Sequence, residues 1–128
     1  MSRGSINVAI VDDDSSVRKA LSRLLSASSF PVQTFASAHD FMDSLAKGLP
    51  DCLILDINMP GLSGLDLYSY LRRTDRSVPT IIITGFGDAD VRERCLASGV
   101  AAFFTKPLDG SELVRTVEAT AAKCTSGG

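Results

Sequence analysis

With 128 residues and 45% apolar side chains, the chain has the size of one domain and can bury a core, which excludes two independent cores and intrinsic disorder. Its 13 basic and 15 acidic residues leave a formal charge of −2 and a pI near 5.2, without the cationic footprint that nucleic-acid backbones or anionic membrane surfaces select. No apolar run approaches the ~20 residues of a bilayer span, and Met1 is followed by Ser-Arg-Gly-Ser rather than by the apolar stretch of a secretory leader.

Short β-branched runs alternate with longer stretches of helical period five times over, the pattern of a parallel sheet wrapped by helices. Asn7 to Val11 is apolar without alternation, as expected of a strand covered on both faces. Val17, Leu21, Leu24 and Leu25 then mark an amphipathic helix, with Asp14 placed to cap it. Val32 to Phe35, opened by Pro31, alternates and reads as an edge strand. Ser37 and Asp40 have the spacing of a capping box before a helix with Phe41, Met42 and Leu45 as its buried stripe and Gly48 as its stop. Cys52 to Ile57 is a buried strand, followed by the loop Asn58-Met-Pro-Gly-Leu-Ser-Gly64 and a helix outlined by Leu65, Leu67, Tyr68 and Leu71. Thr80 to Thr84 is the strongest central strand; beyond Gly85-Phe-Gly87, Asp88 caps a fourth helix carrying Val91, Cys95 and Leu96 up to Gly99. Ala101 to Thr105 is the fifth strand, and Asp109 with Glu112 opens a last helix through Leu113, Val114, Val117 and Ala121. The tail from residue 123 to 128 is expected to fray, and the whole of 1–128 reads as a single domain without internal repeat or linker.

Polar residues stand where the strands end. The first strand runs into Asp12-Asp13-Asp14, the third into Asp56, the fourth into Thr84 and the fifth into Lys106. In an open α/β sheet, ligands bind outside the carboxyl ends of the strands, where strand order reverses. Carboxylates brought together there repel unless a cation intervenes, and a hard, oxygen-ligated ion such as Mg²⁺ meets that demand. A hydroxyl and an ammonium then serve the remaining oxygens of a phosphoryl group. The chemistry this implies is phosphoryl transfer to a carboxylate.

Other polar residues carry blander readings. His39 belongs to the solvent face of the second helix. Phe103 and Phe104 are adjacent in a strand and so face opposite sides. Cys52, Cys95 and Cys124 form no metal-type pair or disulfide framework; they read as small buried hydrophobes in a reducing, cytoplasmic setting.

From Asn7 to about Ala122 the chain resembles the receiver domain of response regulators in two-component signalling. The matching elements are Asp12-Asp13, Leu55-Asp-Ile-Asn-Met-Pro-Gly61 with Gly64, Thr84-Gly85 and Lys106-Pro107, with 28 residues from Asp56 to Thr84 and 22 from Thr84 to Lys106. Thr84-Gly-Phe-Gly-Asp88 is similar to the FixJ-like branch, where a His commonly stands in place of Phe86. The resemblance implies a flavodoxin-like (CheY-like) doubly wound sheet of five parallel strands, order 2-1-3-4-5, with five helices. It implies that Asp56 accepts a phosphoryl group from a phosphohistidine of a sensor histidine kinase or phosphotransfer protein. Asp13, Asp56 and the backbone carbonyl of Asn58 would hold Mg²⁺, with Asp12 acting through water. Lys106 would pair with the phosphoryl oxygens and Asp56, Thr84 would bond the phosphoryl group, Phe103 would be the switch aromatic, and the Lys106-Pro107 bond would be cis. The output would be a changed surface of the fourth helix, fifth strand and fifth helix, read by a partner, a second copy or an effector domain missing from this chain, with no nucleic-acid or membrane binding by the domain itself.

Two departures bear on these roles. Phe103 lacks the phenolic hydroxyl of the Tyr found in many relatives, and Phe86 puts an apolar ring where access of hydrolytic water is set. Two other readings stay open: a haloacid-dehalogenase-like phosphatase with Asp12 as nucleophile and Asp14 as acid/base, which leaves Asp56 without a role, and a receiver-like binding module that uses no phosphate.

Overall fold

The structure is a computed structural model, and it describes residues 6–57, 63–76, 78–85 and 89–126, the side chains as far as Thr120. The described chain alternates β1 (Val8–Val11), α1 (Ser15–Ala27), β2 (Val32–Phe35), α2 (Ala38–Ser44), β3 (Cys52–Asp56), α3 (Gly64–Arg73), β4 (Thr80–Thr84), α4 (Ala89–Ala97), β5 (Ala102–Thr105) and α5 (Gly110–Ser126). All strand pairings are parallel and the order is β2-β1-β3-β4-β5. The expected fold class is therefore the one observed. Strand limits differ from the sequence reading by one residue, at Asn7, Ile57 and Ala101.

Why the central strands are unalternated runs is clear from their surroundings. Every residue of β1, β3 and β4 is buried, because helices cover both faces of the sheet. The pleat sends alternate residues to opposite sides. Ala9, Val11, Leu53, Leu55 and Ile82 meet Phe41, Leu67, Leu71 and Cys95 on the α2–α3–α4 side. Val8, Ile10, Ile54, Ile81 and Ile83 meet Leu21, Leu25, Leu113 and Val117 on the α1–α5 side. Phe103 joins the first cluster and Phe104 the second, both half-buried, so the adjacent pair divides as expected. The outer strand β2 leaves Gln33 and Thr34 exposed, while Phe35 packs edge-to-face on Phe41 at 5.5 Å between ring centroids.

Helix starts follow the capping residues. The Asp14 carboxylate accepts from the Ser16 N–H at 2.8 Å, Ser37 Oγ from the Asp40 N–H at 3.1 Å, and an Asp109 carboxylate oxygen from the Glu112 N–H at 3.2 Å. Each satisfies one of the N–H groups that a first turn leaves unpaired. A cap at Ser63 was not foreseen; its hydroxyl accepts from the Asp66 N–H at 3.2 Å. Leu45 is buried as expected but begins a 3-10 turn, Leu45–Lys47, rather than continuing α2. Of the apolar residues that α4 carries, Cys95 is buried and Val91 half-buried, but Leu96 is 43% exposed. Leu96 follows Cys95 directly, and one helical step of 100° turns it from the core. His39 is exposed. α5 runs on to Ser126, into the segment expected to fray, and the Asp88 cap falls outside the described residues.

Both cysteines with described side chains, Cys52 and Cys95, are buried free thiols. Burial pushes the Cys52 thiol up to about 12, with the Asp51 carboxylate adding to the effect, and burial also raises Cys95. In the unfolded chain Cys52 ionises near 9, so above that pH the unfolded state releases a proton that the folded state keeps. The contribution of Cys52 to stability is complete below pH 9 and declines as pH rises toward 12. Urea unfolding should show stability falling by up to about 1.4 kcal/mol per pH unit on account of Cys52 above pH 9. Cys52→Ala should have a shallower decline, and an equal slope in the variant would contradict this assignment.

Candidate functional site

The register of the strands assembles the site. Val11 pairs with Leu55 across β1 and β3, so Asp12, one step beyond β1, comes level with Asp56 at the end of β3. These are the two strands between which the order reverses, since the chain leaves β1 for β2 on one side and returns to β3 on the other. Asp12, Asp13 and Asp56 each place a carboxylate oxygen within 4.8 Å of the others. Asp12 is 0% and Asp56 3% exposed, whereas Asp13 faces solvent. Burying carboxylates costs free energy unless they are paired or hydrogen-bonded.

Asp12 has both kinds of compensation. Its Oδ1 accepts from the Asp14 N–H at 2.9 Å, and the Lys106 ammonium lies 3.4 Å from Oδ2. The Lys106 side chain is 27% exposed, so it reaches the cluster from the rim. Its own backbone is fixed by the N–H bond to the Thr84 carbonyl at 2.8 Å, and the Lys106-Pro107 bond is cis as expected. Thr84 ends β4 beside Thr105 of β5, fully buried. Phe103 pairs with Ile82, one pleat behind Thr84 and on the same face of the sheet. Carboxylates, ammonium and hydroxyl thus lie along the carboxyl ends of four neighbouring strands, as their positions in the sequence imply. Asn58 and Phe86 fall outside the described residues.

Two residues without a role in the sequence reading complete the site. Arg18 donates from Nη1 to the Asp12 carbonyl at 2.7 Å, tying the β1–α1 turn to the first turns of α1. The signal for it was an arginine near a helix N-terminus, where the macrodipole disfavours a cation. Gly64, noted only as part of a motif, lets α3 start against β3. A Cβ there would lie 2.5 Å from the Asp56 carbonyl oxygen and 2.9 Å from Ile57 Cα. The Gly64 N–H bonds the Ile57 carbonyl at 3.2 Å.

The three carboxylates suit a small divalent ion. Carboxylate oxygens are the ligands that a hard ion such as Mg²⁺ takes, and one from each residue lies within 4.8 Å of the others. Asp14 is not among them: it is exposed and occupied in capping α1.

Comparison with known proteins agrees with this geometry. Residues 8–118 match the family model described as "Response regulator receiver domain". The response regulator protein TodT of Pseudomonas putida is 37% identical over 112 residues, 88% of this chain and 49% of that protein. The transcriptional regulatory protein FixJ of Azorhizobium caulinodans is 34% identical over 119 residues, 91% of this chain and 55% of that one. The chain therefore spans about half the length of these relatives. Among solved structures, a response regulator receiver protein from Burkholderia phymatum superposes with a TM-score of 0.80 at 39% identity, covering 91% of this chain and 94% of its own.

If crowding of carboxylates defines this site, removing one relieves repulsion while weakening a cation. Asp13→Ala should bind Mg²⁺ at least ~10-fold more weakly by calorimetry, in line with loss of one charged ligand. In urea without Mg²⁺ it should be no less stable than the parent. Unchanged Mg²⁺ affinity would contradict the geometry.

Proposed function

The chain belongs to the response regulator receiver domain family, and from that premise we propose that Asp56 is its phosphoacceptor, used in a Mg²⁺-dependent switch. The observation that supports this most is the convergence of Asp12, Asp13 and Asp56 at the reversal point of the sheet, with Lys106 facing them. Asp13 and Asp56 would hold the ion, with the backbone carbonyl of Asn58 as the further ligand that the family resemblance implies. Asp12 acts through water, since both its oxygens already have partners in the protein. When bound, Mg²⁺ offsets the charge of the carboxylates and of the incoming phosphoryl group.

The donor is a phosphohistidine of a sensor histidine kinase or phosphotransfer protein. An Asp56 carboxylate oxygen forms a bond to phosphorus while the P–N bond to imidazole breaks, and the nitrogen keeps the bonding pair. Lys106 swings from Asp12 to the phosphoryl oxygens and Asp56, and the Thr84 hydroxyl donates to another phosphoryl oxygen. The domain is a signalling element rather than an enzyme with an external substrate, beyond assisting its own phosphorylation and dephosphorylation. It works as one receiver unit over 1–128, in the cytoplasm where response regulators are generally found.

The output follows from Thr84. A charge-assisted hydrogen bond is worth roughly 1.5–3 kcal/mol, enough to shift a balanced two-state equilibrium by about one to two orders of magnitude. Thr84 moves toward phosphate and Phe103, half-buried on the same face, turns inward behind it. The α4–β5–α5 surface then changes for a second copy or an effector domain of a longer protein. The phosphatase alternative is not favoured, because Asp14 caps a helix and Asp12 is enclosed. A module that ignores phosphate would gain nothing from burying Asp12 and Asp56 together.

A small acyl-phosphate donor with Mg²⁺ should add one acid-labile phosphoryl group to the chain and none to Asp56→Asn. Thr84→Ala should still be labelled but should lose the response of the Phe103 resonances to phosphorylation. Equal labelling of Asp56→Asn would overturn the assignment.

A further inference from the structure

α4 is the least anchored helix of the described fold. Of its nine residues only Cys95 is buried. Its carboxyl end is nevertheless tied down from outside the helix, by the exposed Arg72 side chain. Arg72, in the last turn of α3, donates from Nη1 to the Ser98 carbonyl just beyond α4, where a cation also meets the negative end of the helix dipole. The guanidinium carbon lies 5.8 Å from the centre of the Tyr68 ring, one turn earlier on α3. Gly99, at φ +104°, brings the turn's backbone against this pair: a Cβ there would lie 2.7 Å from Arg72 Nη1 and 3.1 Å from the Tyr68 hydroxyl. A side chain at residue 99 would break this seat on steric grounds, and the positive φ itself favours glycine.

At its other end α3 abuts Asp56 through Gly64. α4 begins five residues after Thr84. The helix is therefore strung between the phosphoacceptor site and a clamp on α3, which itself starts at that site.

We propose that Arg72 is a positioning residue that latches the carboxyl end of α4 onto α3 in the unphosphorylated domain, so that the latch and the phosphoryl group favour opposite positions of α4. The inference rests on the reading of Asp56 and Thr84 above. Phosphate draws Thr84 inward and with it the start of α4; the latch resists at the far end. Linkage is reciprocal, so a latch that opposes the phosphorylated position of α4 strengthens binding at the phosphate site when it is loosened.

Arg72→Met keeps the apolar stem over Tyr68 and removes the donors, and Arg72→Lys keeps a cation. In Arg72→Met the amides of Ser98, Gly99 and the last turn of α4 should exchange with solvent on the order of ten-fold faster, while those of β4 stay unchanged. Titration with beryllofluoride and Mg²⁺, a phosphoryl mimic, should be several-fold tighter than in the parent, and Arg72→Lys should fall between. Exchange at the parent rate, or faster exchange without tighter mimic binding, would overturn the latch; general destabilisation would speed exchange in β4 as well and would also count against it. If the parent itself fails to bind the mimic, the phosphoacceptor reading falls and the opposition falls with it; a parent that binds while Arg72→Met binds no tighter overturns the latch alone.

Discussion

Three carboxylates forced within 4.8 Å of one another set the problem to which the rest of the site responds. Strand register creates the crowding: β1 and β3 are paired over four residues and run out together, and each is followed or ended by an aspartate. Charges so placed repel, and two of them are enclosed. The surrounding donors offset this in part, through the Asp14 N–H and Lys106. What remains is an affinity for positive charge and for a group that brings its own counterion. A phosphoryl group with its divalent ion is such a group.

Rigidity around the cluster comes from holding the backbone that carries it. Gly64 seats α3 on the last peptide of β3, and the Lys106 N–H is held by the Thr84 carbonyl. Arg18 fixes the carbonyl of Asp12. Acceptor, hydroxyl and ammonium are therefore presented by elements tied to one another at the backbone, while α4, with one buried residue, has little packing to fix its position. Firm site and loose neighbour are complementary: a signal needs a fixed point of origin and an element whose position is nearly balanced.

Much of this was legible before the structure. Strand runs such as Leu53-Ile-Leu55 and Ile81-Ile-Ile83 can be satisfied only by burial on both faces, and the polar residues after them then have one rim to occupy. Caps at Asp14, Ser37 and Asp109 are local chemistry and were read correctly. The buried face of α4 was not fixed in this way, because a short helix with Val91, Cys95 and Leu96 leaves the position of its stripe undetermined to about one residue. Arg72 and the fit of Gly99 depend on contacts between distant segments, and Arg18 on the path of the β1–α1 turn, none of which a periodicity encodes. The pairing of Lys106 with Asp12 rather than Asp56 alone is likewise a matter of three-dimensional approach.

The central claim, that crowded carboxylates await a cation, is tested most directly by unfolding the chain in urea across a range of Mg²⁺ concentrations. Binding to the folded state alone should raise stability by about 1.4 kcal/mol for each ten-fold rise in Mg²⁺ above its dissociation constant, with a much weaker rise in Asp56→Asn. Stability that is independent of Mg²⁺, or that rises equally in both proteins, would contradict the account.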